Sequence, residues 1–177
     1  ALLVAPSRSG STSELIRAID RVKAQADGAR CLAFCGTADA PLLERSDFSV
    51  SLPWIREESV CQTRAVTSLF LANLAFCAEV AGNARLRDAV NVAAEQAKTW
   101  AASADPEITG IVSDHAWSNA VLLADGELYG LADAGAMVLR EMAQVPVNAY
   151  HILDFRHGPI VTMNRDTLCL LAASPRD

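Results

Sequence analysis

Residues 1–15 read ALLVAPSRSGSTSEL, an apolar run that passes into hydroxyl-bearing residues and then into a helix-like pattern. This order predicts a buried β-strand whose carboxyl end opens into a loop of small residues at the N-terminus of a helix. Such a terminus presents unpaired backbone N–H groups and the positive end of the helix dipole, which together attract an anion. Hydroxyl groups at positions 7, 9, 11, 12 and 13 add neutral donors. Phosphate is the anion that such a loop usually holds.

The same loop has a second interpretation, which the spacing leaves open. Serine and threonine are favoured N-cap residues, so a strand-to-helix turn can carry several of them without binding a ligand. The loop contains a lone glycine, Gly10, and matches neither a Walker loop nor the G-x-G-x-x-G pattern of dinucleotide-binding proteins. On spacing alone, an anion site and an ordinary helix cap are equally consistent with the sequence.

Composition and charge exclude several classes of partner. The chain has 177 residues, of which 51% are hydrophobic, enough to bury a sizeable core. Its net charge of −6 argues against a nucleic-acid partner or an anionic membrane surface, because both need a basic patch. Apolar runs stay well short of the roughly 20 residues of a membrane span, and we find no signal-peptide pattern. We therefore expect a cytoplasmic protein with no nucleic-acid and no membrane partner.

The five cysteines do not form a recognisable redox or metal motif. Cys31 and Cys35 are four residues apart in a predicted strand, where alternation places both on one face, unlike the tight turn of a Cys-x-x-Cys site. We expect both to be buried, reduced thiols that pack as small hydrophobic residues. The sequence predicts no metal site and no cofactor.

The order of apolar and polar segments predicts alternating strands and helices. After the opening strand, the predicted elements are a helix over 15–26, a strand over 30–36, a helical turn over 40–45 and a strand over 48–52. Later elements are strands over 108–112 and 120–126, a helix over 129–142, an extended segment over 147–150, a turn at 157–159 and a strand over 167–176. This alternation implies an α/β fold, a three-layer doubly wound parallel sheet with helices on both faces.

Two long helices are predicted between these regions. The first runs from Glu57 to Val80, and the second from about Leu86 through Trp100, where Asp105 and Pro106 close it. The first helix is largely apolar and needs cover on more than one side, from a sheet and a partner helix or from a second subunit. Burial in a homodimer would provide that cover.

The end of the chain resembles its beginning. Residues 169–176 read CLLAASPR, close to the ALLVAPSR of residues 1–8, which indicates an internal repeat. We expect two related α/β subdomains, each incomplete: 1–105, with its N-terminal part missing and a helical extension, and 106–177, the start of the second. A parallel sheet that begins at residue 1 in a central strand lacks neighbours, so we expect an interior slice of a longer chain.

Four motifs resemble those of the sugar isomerase (SIS) domain family. Residues 7–12 (SRSGST) resemble its S-x-S-G-x-T phosphate loop, and residues 57–67 (EESVCQTRAVT) resemble its E-x-S/G-V-A-x-T-K/R-x-F-T helix start. Residues 123–141 resemble the opening of the second domain in double-domain members, and residues 149–159 (AYHILDFRHGP) match the A-x-x-x-x-E-x-x-H-G-P segment. The order of the motifs is similar to that in the isomerase portion of glucosamine-6-phosphate synthase and related isomerases and deaminases.

The resemblance implies an isomerase or deaminase that acts on a hexose 6-phosphate by acid–base proton transfer. By motif position it implies two catalytic residues, Glu141 as the carboxylate base and His157 as the ring-opening histidine, which the family commonly supplies from a neighbouring subunit. It also implies phosphate ligands at Ser7, Ser9 and Thr12, and residues lining the sugar at Glu57, Ser59 and Val60. The expected partners are a sugar phosphate substrate and a second copy of the chain, in a homodimer with shared active sites.

The sequence departs from the family pattern near the predicted base. Val138 stands where full synthases usually have a lysine one helical turn before the base, Ala134 replaces a glutamate, and Asp154 replaces a longer acid. The 177 residues contain no counterpart of the family's C-terminal lysine, of its first glycine-threonine-serine loop or of a glutamine-hydrolysing domain. These departures motivate an alternative function, a non-catalytic phosphosugar sensor or regulator.

Each predicted catalytic residue also has a structural interpretation. Glu141 near a helix end is consistent with a solvated charge, and His157 before Gly158 is consistent with a turn residue. His115 and His151 match no family motif, so we expect them to be structural or exposed.

Overall fold

The computed structural model describes residues 1–174 and divides into two compact units, one spanning Ala1–Ala97 and the other beginning at Lys98. Within the described residues, each unit contains a three-stranded sheet in which the strand pairs are parallel. The predicted α/β class with parallel sheets is confirmed. That the units are related subdomains stays a prediction, and Pro175 and Arg176, at the end of the predicted repeat, lie outside the described residues.

The elements follow the chain in a regular alternation. The first unit contains β1 (Leu2–Ser7), α1 (Ser13–Gln25), β2 (Arg30–Cys35), α2 (Pro41–Glu44), β3 (Phe48–Ser51) and α3 (Arg64–Val80), followed by α4 (Ala84–Ser113), which crosses the unit boundary. The second unit contains β4 (Asn119–Ala124), α5 (Tyr129–Ala143), β5 (Val147–Tyr150), α6 (Ile152–Arg156) and β6 (Thr167–Ala172). The sheet orders are β1-β2-β3 and β5-β4-β6.

Both faces of the first sheet are covered, as the burial of β2 along almost its whole length shows. On one face Cys31, Ala33 and Cys35 pack with Ile19 of α1 and Leu42 of α2. On the opposite face, Leu32 and Phe34 of β2 pack with Ile55 and with Ala65 of α3. Partly buried side chains along α3 also pack against this face. Helices on both faces give the predicted three-layer arrangement, and the burial of Cys31 and Cys35 as free thiols is confirmed.

In the second unit, α5 packs on the sheet through small residues. Ala132 and Ala136 are buried against Leu122 and Ala124 of β4 and Val147 of β5. Alanine side chains let the helix approach the strands closely, as its small-residue composition predicts. The predicted strand over 120–126, helix over 129–142 and extended segment over 147–150 are confirmed.

The predicted start of the first long helix is wrong. α3 begins at Arg64 rather than Glu57, and residues 57–63 form an irregular loop. The reason is that the Glu57 carboxylate accepts hydrogen bonds from the backbone N–H groups of Thr63 and Ala65, so it caps the helix from outside. An apolar pattern indicates which residues favour a helix, but it does not show where a side chain replaces the first intrahelical bonds.

The predicted break at Pro106 is also wrong. α4 continues through Pro106 to Ser113 and includes residues 108–112, which had been predicted as a strand. Proline removes one backbone hydrogen bond and disfavours a helix by about 3 kcal/mol, which the favourable alanine-rich turns around it can outweigh. The indole N–H of Trp117 donates to the Ile111 carbonyl at 3.1 Å and so satisfies one acceptor at the end of the helix. Among the described residues, we find no helix with the length and apolar character needed to cross a membrane.

Among the described residues, β1 is the first strand in the order β1-β2-β3. Within the described residues it pairs with β2, from Leu2 opposite Arg30 to Ser7 opposite Cys35. Its first residue, Leu2, is 50% exposed, whereas β2 has a strand on each side. The apolar run of β1 covers one flank of β2, and the expectation that β1 is a central strand in an interior slice of a longer chain stays a prediction.

Asp47, directly before β3, ties α1 and β2 together. Its carboxylate accepts hydrogen bonds from Lys23 Nζ at 2.7 Å, from the Cys31 backbone N–H at 2.7 Å and from Arg30 Nη1 at 3.0 Å. The Lys23 ammonium, followed by the Cys31 N–H and the Arg30 guanidinium, holds the pKa of Asp47 far below its ordinary value. Since the folded state favours the ionised form, Asp47 contributes stability above the pKa of the unfolded chain and loses it as the pH falls through the folded pKa.

We predict that Asp47→Asn lowers the urea midpoint of unfolding near neutral pH, because the amide cannot accept from all three donors. The difference from the unmodified chain should shrink as the pH falls below about 4, where unfolded aspartate becomes protonated. Urea titrations followed by circular dichroism near neutral pH and at about pH 3 measure both effects. Asp20→Asn is the control, because Asp20 is exposed and bonds Arg45 Nε at 3.4 Å; equal losses in the two variants would contradict the role of Asp47.

Candidate functional site

The loop over residues 7–12 lies at the carboxyl edge of the first sheet, directly after β1. Its backbone turns sharply: the Gly10 N–H donates to Ser7 Oγ at 2.9 Å, and the Gly10 carbonyl accepts from the Leu42 N–H at 2.9 Å. Thr37 Oγ1 donates to the Arg8 carbonyl at 3.2 Å. The loop is therefore fixed by its own hydroxyl and by the two segments that follow β2.

Gly10 allows this loop to lie directly on the sheet. Its φ is +64°, in the left-handed region that favours glycine, and a Cβ at this position would lie 2.5 Å from Ala40 Cβ and 2.7 Å from Cys35 Sγ. Both the backbone conformation and the close approach exclude a side chain. The structure therefore requires glycine at position 10.

A cavity of about 340 Å³ opens beside the loop. One wall is formed by Ser7, Arg8, Ser9 and Thr12, and the other includes Gln62 and Leu69. The structure thus brings the three predicted phosphate ligands together around one space. Thr12 is the N-cap residue of α1, and its hydroxyl makes no capping hydrogen bond. Because Thr12 lines the cavity, its O–H can donate to a bound anion.

A carboxylate also lies in the first turn of α1. Glu14 accepts from Ser13 Oγ at 2.9 Å, and it does not line the cavity. Its own backbone N–H, followed by the Ser13 hydroxyl, holds the pKa of Glu14 below its ordinary value. The Glu14 carboxylate therefore accepts from one backbone N–H group at the N-terminus of α1. It does not use the hydroxyl groups of the loop that line the cavity.

The three predicted sugar-lining residues lie outside the lining of this cavity. The Glu57 carboxylate is directed to the N-terminus of α3, Ser59 is exposed, and Val60 is 89% exposed. Partial burial acts to raise the pKa of Glu57, but the N–H groups of Ala65, Thr63 and Arg64 and the Thr63 hydroxyl lower it below its ordinary value. Contact of these three residues with a sugar stays a prediction.

Both predicted catalytic residues are exposed in the second unit. Glu141 lies near the end of α5, and its carboxylate makes no hydrogen bond or ion pair within residues 1–174. His157 follows α6, where its backbone N–H donates to the Asp154 carbonyl at 3.1 Å, and it ends the helix as the predicted turn requires. The catalytic roles of Glu141 and His157 stay predictions.

Comparison with known proteins finds sequence similarity to an aminotransferase that acts on fructose 6-phosphate. No family model matches the chain. It is 26% identical over 192 aligned residues to glutamine–fructose-6-phosphate aminotransferase (isomerizing) from Haemophilus ducreyi, covering 99% of this chain and 30% of that protein. The same enzyme from Legionella pneumophila (strain Lens) is 25% identical over 179 residues, covering 99% of this chain and 29% of that protein. The chain therefore spans less than a third of the length of these relatives.

Solved structures show the same architecture. Glucosamine-6-phosphate deaminase from Thermotoga maritima superposes with a TM-score of 0.82 at 24% identity, covering 99% of this chain and 54% of that chain. Tagatose-6-phosphate ketose/aldose isomerase from Escherichia coli superposes with a TM-score of 0.81 at 22% identity, covering 99% of this chain and 49% of that chain. This chain has the sugar isomerase fold. The resemblance predicted from its motifs is confirmed.

Within this sugar isomerase fold, two cavity residues were missed by sequence reasoning. Arg8 carries a positive charge on the cavity wall, and its Nη1 donates to the Ser59 carbonyl at 2.7 Å. Its position between two serines of the phosphate loop was an available signal, because a cation inside a hydroxyl-rich loop favours an anion. Gln62 offered no such signal, since its place depends on the path of the loop over 57–63.

A second group was also missed, at the carboxyl edge of the second sheet. His151 Nδ1 lies 3.2 Å from Asp125 Oδ1, and the His151 ring stacks on Tyr129 with ring centroids 3.9 Å apart. Asp125 follows β4 and His151 follows β5, which are neighbouring parallel strands, so the topology alone predicts their proximity. The Ile152 N–H also donates to Asp125 at 3.1 Å, so Asp125 holds the start of α6. His151 is exposed, one of the two alternatives expected for it.

We predict that Gly10→Ala destabilises the chain by about 2–4 kcal/mol, from left-handed backbone strain and overpacking together. Gly28→Ala is the matched control, because Gly28 has a φ of +71° with no atom near its Cβ position, and it should cost only about 1 kcal/mol. Urea unfolding of both variants measures the difference. Equal losses would show that the loop does not pack against Ala40 and Cys35.

Proposed function

We propose that this chain is the phosphosugar-binding and proton-transfer part of an enzyme that isomerises or deaminates a hexose 6-phosphate, with an amino-sugar phosphate as the preferred substrate class. The observation that carries the proposal is the cavity beside the loop over 7–12, where Ser7, Ser9 and Thr12 meet Arg8. The similarity to phosphosugar isomerases and deaminases supports it. The proposal places the enzyme in the cytoplasm.

The cavity suits a phosphate monoester in charge and in donor chemistry. Arg8 supplies a cation, and the hydroxyl groups of Ser9 and Thr12 supply donors at the N-terminus of the 13-residue helix α1. Ser7 is only 9% exposed, and its Oγ already accepts from Gly10. We therefore assign Ser7 mainly to loop shape and Arg8, Ser9 and Thr12 to direct contact with the phosphate.

The chemistry requires a base that moves a proton between adjacent sugar carbons. We assign this role to Glu141, whose carboxylate has no partner within the described residues and is available to accept a proton. We assign ring opening to His157, which can donate to the ring oxygen when protonated. The resemblance to a family with shared active sites supports a homodimer, in which His157 would serve the site of the partner subunit.

We predict that the chain exchanges the C2 proton of glucosamine 6-phosphate with solvent, because reversible removal of this proton is the first step of the proposed reaction. Proton NMR in deuterated buffer measures the loss of the C2 signal. Glu141→Gln should slow exchange by about 10²-fold or more, the usual effect of losing a general base. Glu107→Gln, an exposed glutamate on α4, should exchange like the unmodified chain.

The outcomes of this experiment separate the alternatives. Exchange that persists in Glu141→Gln would remove Glu141 from the role of base. Binding of glucosamine 6-phosphate without exchange in the unmodified chain would favour a phosphosugar sensor over an enzyme.

We predict that Thr12→Val weakens binding of fructose 6-phosphate about tenfold, the value of one hydrogen bond to a charged group. Valine keeps the shape of threonine but removes the donor. Isothermal titration calorimetry measures the affinity, and Ser13→Ala is the control because Ser13 bonds Glu14 and does not line the cavity. Unchanged affinity in Thr12→Val would contradict a phosphate at this position.

A further inference from the structure

The Glu57 carboxylate is fully engaged by the beginning of α3. Oε1 accepts from the backbone N–H groups of Thr63 at 3.0 Å and Ala65 at 3.1 Å, and Oε2 accepts from the Arg64 N–H at 3.2 Å and from Thr63 Oγ1 at 3.0 Å. Ala65 is completely buried. These contacts satisfy the N–H groups that a helix leaves unpaired at its start.

This cap comes from outside the helix. Thr63, the N-cap residue, makes no side-chain capping bond of its own. Glu57 supplies the acceptor from six residues earlier, and its negative charge is favourable beside the positive end of the helix dipole. The consequence is that residues 57–63 close into a loop whose two ends are held by one carboxylate.

The closed loop forms part of the phosphate cavity. Its Ser59 carbonyl accepts from Arg8 Nη1 at 2.7 Å, which orients the guanidinium on the opposite wall. Gln62 of the same loop and Leu69 of α3 line the cavity directly. The position of the wall opposite the phosphate loop thus depends on the loop and helix that Glu57 joins.

We propose that Glu57 is a positioning residue for the phosphate cavity, acting through the Ser59 carbonyl on Arg8 and through the placement of Gln62. This inference rests on the proposed function, since it names the device that shapes its phosphate site. It differs from the sugar contact that the family resemblance implies, because both Glu57 oxygens are already used by α3. Glu57 therefore sets the phosphate affinity without touching the substrate.

The test compares the binding of inorganic phosphate and of fructose 6-phosphate by calorimetry. Glu57→Ala should weaken both ligands by a similar factor of about ten or more, because the wall and Arg8 lose their support. Glu57→Gln keeps one acceptor oxygen and should retain part of the affinity, so it also covers the case in which Glu57→Ala does not fold. Glu79→Gln is the matched control: Glu79 is a hydrogen-bonded glutamate near the opposite end of α3, is bound by Arg87 at 2.5 and 3.0 Å, and is remote in sequence from the loop.

A double-mutant cycle with Arg8→Gln tests the route of the effect. If Glu57 acts through Arg8, removing both side chains should weaken phosphate binding by clearly less than the product of the two single effects. Urea unfolding of each variant separates a loss of affinity from a loss of stability. A purely structural cap would lower stability and leave the affinity of the folded chain unchanged.

Besides that outcome, three results would overturn the proposal. Loss of fructose 6-phosphate affinity with unchanged inorganic phosphate affinity would assign Glu57 to direct sugar contact. Independent, multiplicative effects of Glu57→Ala and Arg8→Gln would remove the link through Ser59. If the unmodified chain binds neither ligand, the proposed function fails as well, which distinguishes that failure from the first two.

Discussion

The burial of β2 on both faces is the constraint on which the first unit depends. A strand with an almost continuous apolar run cannot leave either face in water, so it requires helices above and below and a strand on each side. With parallel neighbours, β1 and β3 end at the same edge as β2. The loops that follow these strands therefore converge there, and this is where open α/β sheets hold their ligands.

Convergence alone does not make a cavity, because loops at the edge of a sheet must also be held apart and in place. Gly10 brings one loop down onto the sheet, since it has no side chain to meet Cys35 and Ala40. Glu57 holds the other loop by capping α3. The hydrogen bond from Arg8 to the Ser59 carbonyl joins the two. The cavity is thus the space left between two loops that are each fixed by a specific local interaction.

The parts of the fold that follow from periodicity were predictable from the sequence. The strand that became β2 and the helix that became α5 were predicted because a continuous or periodic apolar pattern runs along each of them, so many residues carry part of the signal. The start of α3 depends on a single carboxylate six residues away, and the continuation of α4 past Pro106 depends on a balance of a few kcal/mol. Such features leave no periodic pattern, and for this reason they were missed.

The candidate site likewise contains features that leave a signal in the sequence and features that do not. The meeting of Ser7, Ser9 and Thr12 around one cavity was predictable because the glycine and the hydroxyl groups of their loop are local in the sequence. The place of Gln62 was not, since it follows from how the loop over 57–63 closes. The family motif marked Glu57 as a sugar-lining residue, which stays a prediction, because a motif records only that a residue type recurs at a position. A glutamate that supports the cavity wall and a glutamate that contacts a sugar are indistinguishable in a sequence motif.

Two of the departures from the family pattern, Ala134 and Val138, fall on one face of α5 together with Glu141. Ala134, Val138 and Glu141 are separated by four and three residues, the spacing that aligns side chains along a helix. Where full synthases carry a glutamate, a lysine and a glutamate along this face, this chain has two apolar side chains and then the glutamate. The remaining carboxylate has no cation on its own helix face to fix its orientation. Under the proposed function, the positioning of Glu141 for proton transfer would have to come from the substrate or from a partner subunit, which would link catalysis to assembly more tightly than in a synthase with the complete set of charges.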